Sequence, residues 1–364
     1  MVNGSVIAQF GLASTAGVRP ITAISSESVQ IQERVNCPAV WTFTLAASQE
    51  SAFNAGFHDL LQRSTPTVFV RVGFILDGRV VWRPWQQHIV TALRSIPTSS
   101  DHNILLQTSD RLAEFDRETR VAAWQGLISD LVSRIATLRG LKHVIEKTVG
   151  DYSLIQSMAS DYEFLHRLRD RAINSTGQAD YVFYLQDDEL HFHTPGYATR
   201  QGLAPTKVQG FFAPTSKMVL SDQTQAQVHE GAAGTKLYTF NPMTGELGLV
   251  RSSPKMNRLA KVAPPLEQIP GGQFNASLTI GQNPTEHIAT AQAIFERARL
   301  GCYAVKLMTS GHILHVNEQV NINMQQSSAR LNPWSGRYIV LEARHLVKQG
   351  AVSSMVTVAR GDIN

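Results

Sequence analysis

The chain is dominated by short runs in which apolar and polar residues alternate, separated by turn signals. Trp41-Thr42-Phe43-Thr44-Leu45 alternates, and so does Thr67-Val68-Phe69-Val70-Arg71-Val72. Both runs are rich in aromatic and β-branched residues, which predicts strands. Between them Phe57, Leu60 and Leu61 fall at helical spacing, predicting a helix over Ala55 to Arg63. Asp77-Gly78 is a hairpin turn signal, and Arg79-Val80-Val81-Trp82 follows as the return strand.

The same order recurs late in the chain. Ser277-Leu278-Thr279-Ile280 reads as a strand, and Asn283 caps a helix entered at Pro284. Ile288, Ala291, Ile294, Phe295 and Ala298 give that helix its apolar face, and Gly301 stops it. Tyr303-Ala304-Val305-Lys306-Leu307 is the next strand, and Ser310-Gly311 turns into His312-Ile313-Leu314. Leu45 to Val68 and Ile280 to Tyr303 both span 23 positions, and an offset of 235 carries Thr44 onto Thr279, Val70 onto Val305 and Arg71 onto Lys306. Val68, Val70 and Val72 share one face with Phe74, and Tyr303, Val305 and Leu307 share the matching face, each with a cation opposite. The pattern reads as two copies of one β-rich unit carrying a flanking helix. Ile104 to Thr108 closes the first copy; Tyr338 to Ala343 and Met355 to Ala359 close the second. Many short strands with turns between them predict an antiparallel barrel or sandwich.

The segment between the copies has a different texture. Ile128, Leu131, Val132, Ile135 and Leu138 predict a helix from about Leu127 to Leu138. Phe164, Leu165, Leu168 and Ala172 predict a second from Ser160 to Ile173, with acids in its first turn and arginines near its end, as the helix dipole favours. Thr148 to Gln156, between the helices, reads as short and polar. Tyr181 to Leu185 and Leu190 to His193 form a hairpin around Gln186-Asp187-Asp188-Glu189. Ser221 to Gly272 reads as loops and short strands, with Pro264-Pro265 and Pro270-Gly271-Gly272 marking its exit.

Composition adds little that is specific. Of 364 residues 43% are hydrophobic and 17% charged, with a net charge of +4. That fits two or three folded domains. The charges are interleaved, so no nucleic-acid footprint is visible. Cys37 and Cys302 make neither a disulfide framework nor a zinc site and read as buried free thiols in a chain assembled in a reducing compartment. The N-terminus lacks a basic region followed by an apolar run, and no stretch approaches the ~18 apolar residues of a membrane span.

Several segments group chemistry-bearing residues. His191 and His193 project from one face of a strand, but no third ligand stands at motif spacing, so a hydrogen-bonded or exposed strand face is expected; His312 and His315 read the same way. Asp187, Asp188 and Glu189 read as a solvated hairpin tip rather than a glycosidase pair. Gly231-Ala232-Ala233-Gly234-Thr235-Lys236 is too short for a phosphate loop, and Ser335-Gly336 lacks a nucleophile elbow. No catalytic residue, metal or cofactor is expected. Trp82-Arg83-Pro84-Trp85 fits two readings: an anchor at a subunit interface, or a strand interrupted by a bulge at Pro84.

Four segments carry a resemblance to a known family. They are Trp124-Gln125-Gly126 followed by Ile128, Val132 and Ile135; Gln156 followed by Ser160-Asp161-Tyr162-Glu163-Phe164-Leu165 and Leu168; Leu190-His191-Phe192-His193-Thr194-Pro195; and Ser335-Gly336-Arg337-Tyr338-Ile339-Val340 with Ala343 and His345. Together they resemble the baseplate hubs of contractile-tailed phages (late-control protein D-like), which are similar to the N-terminal hub part of type VI secretion spike proteins. Asn317-Glu318-Gln319 departs from that pattern, standing where such hubs turn on a glycine.

The resemblance implies an α+β, mainly β fold: two tail-tube-like antiparallel β-barrel domains at 1–108 and 273–364, an inserted α+β domain at 109–203, and a connecting segment at 204–272. It further implies a homotrimer whose six barrels bridge a threefold spike and a sixfold tube. The expected partners are a trimeric tail spike, a distal tail or tube-initiator ring, the tape-measure protein, and DNA in transit through the channel. The expected location is the virion tail baseplate, assembled in host cytoplasm. Arg71, Lys306, Trp82 and Trp85 are the candidate interface residues. A type VI or tailocin hub is the nearest alternative, and a chain stopping at Asn364 without a spike domain favours a phage or tailocin particle. A tail-associated peptidoglycan hydrolase is the remaining one.

Overall fold

In a computed structural model the described residues are 5–14, 17–21, 25–47, 66–76, 79–97, 102–195, 197, 225–228, 234–240, 247–252, 274–280, 303–310, 313–322, 336–348 and 350–359. The protein is mainly β and mostly antiparallel. The first part of the chain supplies β1 (Ser5–Ser14), β2 (Gly17–Pro20), β3 (Ser25–Arg34), β4 (Val40–Ala47), β5 (Thr67–Leu76), β6 (Arg79–Trp82), β7 (Gln86–Pro97) and β8 (His102–Asp110). After a short 3₁₀ helix at Arg111–Asp116 come β9 (Thr119–Gly126), α1 (Ile128–Leu138), β10 (Lys142–Ile145), β11 (Tyr152–Ser160), α2 (Asp161–Arg169), β12 (Val182–Gln186) and β13 (Glu189–His193). The last part supplies β14 (Gln225–Val228), β15 (Gly234–Phe240), β16 (Leu247–Ser252), β17 (Phe274–Ile280), β18 (Tyr303–Ser310), β19 (Gln319–Ile322), β20 (Gly336–Lys348) and β21 (Ala351–Ala359).

One large sheet carries both ends of the chain, in the order β14-β18-β21-β20-β3-β4-β8-β7-β5-β1-β2, with β19 on β20 and β6 on β5. The strands from the two ends of the chain join at the antiparallel ladder between β20 and β3, which runs from Glu342 opposite Arg34 to Lys348 opposite Ser28. The core lies on one face. Val29, Ile31, Phe43, Leu45, Val68, Val70 and Val72 are buried there with Val347 and Val352, so the two-residue periodicity read from β4 and β5 puts the expected side chains inside. Among the described residues the path stays open, since β14 and β2 at its two ends do not pair with each other.

The offset of 235 carries β5 onto 302–311, and β18 occupies Tyr303–Ser310. It carries β4 onto 275–282, and β17 occupies Phe274–Ile280. The partners differ: β5 lies between β1 and β7, whereas β18 lies between β14 and β21, and β17 pairs in parallel with β15 in a separate sheet. Local alternation fixes which residues extend. Which strand pairs with which is set by contacts far apart in sequence.

Residues 112–192 build their own core around α1 and α2. Ile128, Leu131, Val132 and Ile135 pack with Phe164, Leu165, Leu168, Phe183 and Phe192. Leu138 departs from its expected inward place and is 63% exposed, because α1 ends there. The second helix is shorter than expected: it stops at Arg169, and only Ala172 of the following turn is buried. The supposedly polar stretch Thr148 to Gln156 runs into β11, which pairs with β9. Its inward row Tyr152, Leu154 and Gln156 alternates with exposed Ser153 and Ile155, a strand period hidden by the polar members. Between Trp82 and Gln86 the chain leaves the sheet, so Pro84 separates two strands rather than bulging one. Cys37 is half-buried in the turn after β3, not sealed in the core, because it sits outside both strands. The helices read over Ala55 to Arg63 and from Pro284, together with Cys302 and His312, lie outside the described residues.

Candidate functional site

Three of the four candidate interface residues meet. Arg71 lies on the β5 face opposite Val70 and Val72, directly across from Gln9 on β1. Its Nε and Nη2 both donate to Gln9 Oε1, at 3.0 and 2.7 Å. Its guanidinium carbon stands 4.2 Å from the Trp82 ring centroid and 4.0 Å from that of Trp85, so the cation stacks against two indoles. Gly73 makes this possible. It pairs with Trp82, and a Cβ there would lie 2.7 Å from Trp82 Cε3. Val81 beside the stack is 52% exposed. Lys306 is elsewhere, exposed on β18 between Gln225 and Thr357, seven places along the sheet order from β5. The spacing that made it equivalent to Arg71 matches strand position but not surroundings.

Sequence reasoning missed a buried polar junction where the two halves of the large sheet meet β12 and β13. Glu33 ends the inward row Val29-Ile31-Glu33. His315 Nδ1 donates to both its carboxylate oxygens at 2.9 and 3.0 Å, and Arg83 Nη1 lies 2.6 Å from His315 Nε2. The guanidinium can only donate, so Arg83 favours an accepting Nε2, whereas the Glu33 carboxylate favours the protonated ring; the two neighbours pull the imidazole in opposite directions. Burial raises the Glu33 carboxyl, but the charge and hydrogen bond of His315, with His345 beyond, bring it down to about 2. On His315, burial lowers the pKa and Glu33 outweighs it, so the net direction is up.

Neighbouring groups extend the junction. His345 bonds Ser354 Oγ at 2.6 Å and the Leu314 carbonyl at 2.8 Å. His88 is buried next to Thr108, and burial presses its pKa down to about 3. Asp110 accepts from the Ala39 and Leu112 amides, while burial pushes its carboxyl up to about 8. The hairpin tip read as solvated is partly docked here: Asp188 accepts from the Gln87 amide and Asp187 from the Gln86 side chain. Both tip residues have positive φ, the geometry of a two-residue hairpin turn. Asn317 also has positive φ, 64°, and so does the work expected of a glycine there. Its side-chain amide donates to Tyr184 Oη at 3.2 Å.

The two strand histidines are buried. His191 stacks on Tyr184 with ring centroids 4.8 Å apart; His193 bonds the Thr194 carbonyl and Tyr184 Oη. Burial lowers the His191 pKa to about 3. No group of three or more metal-type ligands occurs among the described residues. Gly234-Thr235-Lys236 opens strand β15, not a helix, so it forms no phosphate cradle. No helix among the described residues is long and apolar enough to cross a membrane.

No family model and no curated protein matches the sequence. Solved structures do. A tail protein from Neisseria meningitidis superposes with a TM-score of 0.62 at 10% identity, over 98% of this chain and 97% of that one. A 43 kDa prophage tail protein from Shewanella oneidensis gives 0.60 at 10% identity, over 98% of both chains. The chain has the fold of phage tail proteins. A prophage tail protein from Listeria monocytogenes also shares it, with a TM-score of 0.54 at 10% identity, over 98% of this chain and 95% of that one. A chain of the Francisella PdpA-VgrG complex gives 0.56 at 8% identity over 98% of this chain, which spans 52% of that one.

Within this tail-protein fold the most family-like segment is a packing device. Ser160 Oγ accepts from the Glu163 amide while the Glu163 carboxylate accepts from the Ser160 amide, a capping box that starts α2. Asp161 is fully buried, ion-paired with Arg120 and Arg139 and bonded by Gln156 Nε2 at 3.1 Å. Gln156 Oε1 accepts from Trp124 Nε1 at 3.1 Å. The segment thus ties β9, β11, α1 and α2 together, which accounts for its residue types without any chemistry on a substrate.

Proposed function

We propose that the protein is a non-enzymatic structural hub of a contractile phage tail baseplate, acting as a homotrimer. The observation that carries this reading is the β3–β20 ladder, which fuses strands from the two ends of the chain into one continuous wall. Two sheet edges, β14 and β2, stand at the ends of that wall among the described residues. Unpaired edges are satisfied by neighbours, and head-to-tail contacts that close give a ring of fixed size. With two tube-like barrels per chain, at 1–108 and 273–364, three chains make a pseudo-hexameric ring around a channel. The inserted domain at 109–203 lies outside the ring's repeat.

One face of the ring would meet a trimeric spike. The other would meet a distal tail or tube-initiator ring, with the tape-measure protein inside and DNA only in transit. The protein would reside in the virion tail after assembly in host cytoplasm. Arg71 with Trp82 and Trp85, and Lys306 on the far part of the wall, are the contact residues we assign.

Native mass spectrometry of the purified protein, with cross-linking of assembled particles, tests the stoichiometry. A three-copy mass or self-cross-links between wall edges are expected; a monomer throughout, with no self-cross-link, sinks the proposal. Charge reversal at both Arg71 and Lys306 that leaves assembly intact removes their role. The likeness to a chain of the PdpA-VgrG complex favours a secretion-particle hub as second reading, and tracing which particle carries the protein decides between them. A peptidoglycan-degradation assay tests the hydrolase alternative, for which no activity is expected.

A further inference from the structure

The face of the large sheet opposite the core has a composition of its own. Five strands, β18, β21, β20, β3 and β4, lie side by side there. Their registers align residues into rows across the strands. Met308, Met355, Arg344 and Gln32 form one row, and Lys306, Thr357, Glu342 and Arg34 form the next. Leu346 stands beside the first row and is 39% exposed; Met355 is 45% exposed. A groove of about 310 Å³ crosses the strands here, lined by Met308, Met355, Arg344, Leu346, Gln30 and Gln32. Among the described residues four cations, Arg34, Lys306, Arg344 and Lys348, are exposed on this face, against one acid, Glu342, which Arg344 binds at 2.8 Å.

We infer that this face binds an acidic amphipathic helix from a partner protein. Five strands at ~4.8 Å spacing present a path about 19 Å long, which ~13 helical residues cover. Two methionines and a leucine offer an adaptable apolar floor, the surface type that accepts helical apolar faces. The flanking cations match carboxylates along the helix edges. Single-stranded nucleic acid fits worse, because it stacks bases on aromatic side chains and the described residues of this face include none. The inference does not depend on the trimeric ring.

The test uses the full chain and a fluorescein-labelled helical peptide of about 18 residues, with leucines on one face and glutamates beside them. Fluorescence anisotropy is expected to show saturable binding, weakened about tenfold or more when the glutamates become glutamines or when the protein carries Arg344→Glu with Lys306→Glu. Met355→Gln, which adds no charge, is expected to weaken both the acidic and the glutamine peptide. Unchanged unfolding midpoints show that the variants fold. Equal binding of the acidic and glutamine peptides, no binding of either, or equal competition by an oligonucleotide of the same charge overturns the inference.

Discussion

Arg83 donates to His315 across 232 positions of sequence, and His315 passes the contact on to Glu33. This relay ties the segment between β6 and β7 to β3 and to the turn before β19. It sits at the seam where the two ends of the chain share a sheet. Glu33 is the only anion in the relay and is 9% exposed. Glu33→Gln would leave Arg83 facing an imidazole with no anion behind it. The expected loss is about 3 kcal/mol, the lower end for removing one member of a buried pair. Urea unfolding measures it, and a loss below about 1 kcal/mol would mean the relay does not hold the seam.

His191 gives a pH signature. Burial, with some help from His193, lowers its pKa from 6.5 to about 3. Glu189 faces its Nε2 at 3.7 Å, and Tyr184 covers the ring. The folded protein therefore excludes a proton that the unfolded chain accepts below pH 6.5, so this group's contribution is present above that pH and is lost as pH falls toward 3. His191→Phe keeps a flat ring on Tyr184 and removes the titration. The wild type should lose about 1.4 kcal/mol per pH unit relative to the variant below 6.5, or about 2 kcal/mol by pH 5. Parallel stability profiles of the two proteins would contradict the buried neutral imidazole.

The sequence made the elements more legible than their partners. Val68, Val70 and Val72 face the core as their alternation requires, and α1 and the β12–β13 hairpin fall where periodicity put them. β11 was hidden because its inward row includes Gln156, whose burial depends on partners at Trp124 and Asp161 that no local window contains. The Glu33 relay was illegible for the same reason: its members come from three distant segments. Trp82 and Trp85 could be named from residue type and Arg71 from its match to Lys306 in the repeat, but that the three stack together depends on Gly73, a residue that alternation passes over.

Asn317 tests the substitution of a side-chain residue where a glycine is expected. Its φ of 64° is open to glycine and asparagine but costly for alanine. Asn317→Gly and Asn317→Ala both remove the bond to Tyr184. Only the alanine variant adds backbone strain, so it should be about 1 kcal/mol less stable than the glycine variant, read from thermal or urea unfolding. Equal stabilities would place the whole cost in the Tyr184 bond.

Gly73 links the sheet to the candidate interface. A methyl group there meets Trp82 Cε3 at 2.7 Å, Val80 Cγ1 at 2.8 Å and Trp82 Cζ3 at 2.9 Å. The indole has to move, because the β5 and β6 backbones are held in antiparallel register from Gly73–Trp82 to Leu76–Arg79. Moving Trp82 takes one ring off Arg71 while Trp85 and Gln9 stay in place. Gly73→Ala should therefore cost about 1–3 kcal/mol from overpacking and cation–π loss, with a changed near-ultraviolet circular dichroism signal from the tryptophans. Arg71→Met separates the two effects: it removes the charge without the steric clash, so the global loss should be smaller. If the stack serves assembly, both variants weaken self-association by more than their change in folding stability accounts for. If it serves only the fold, association follows stability, and Trp82 and Trp85 lose their assignment as contact residues.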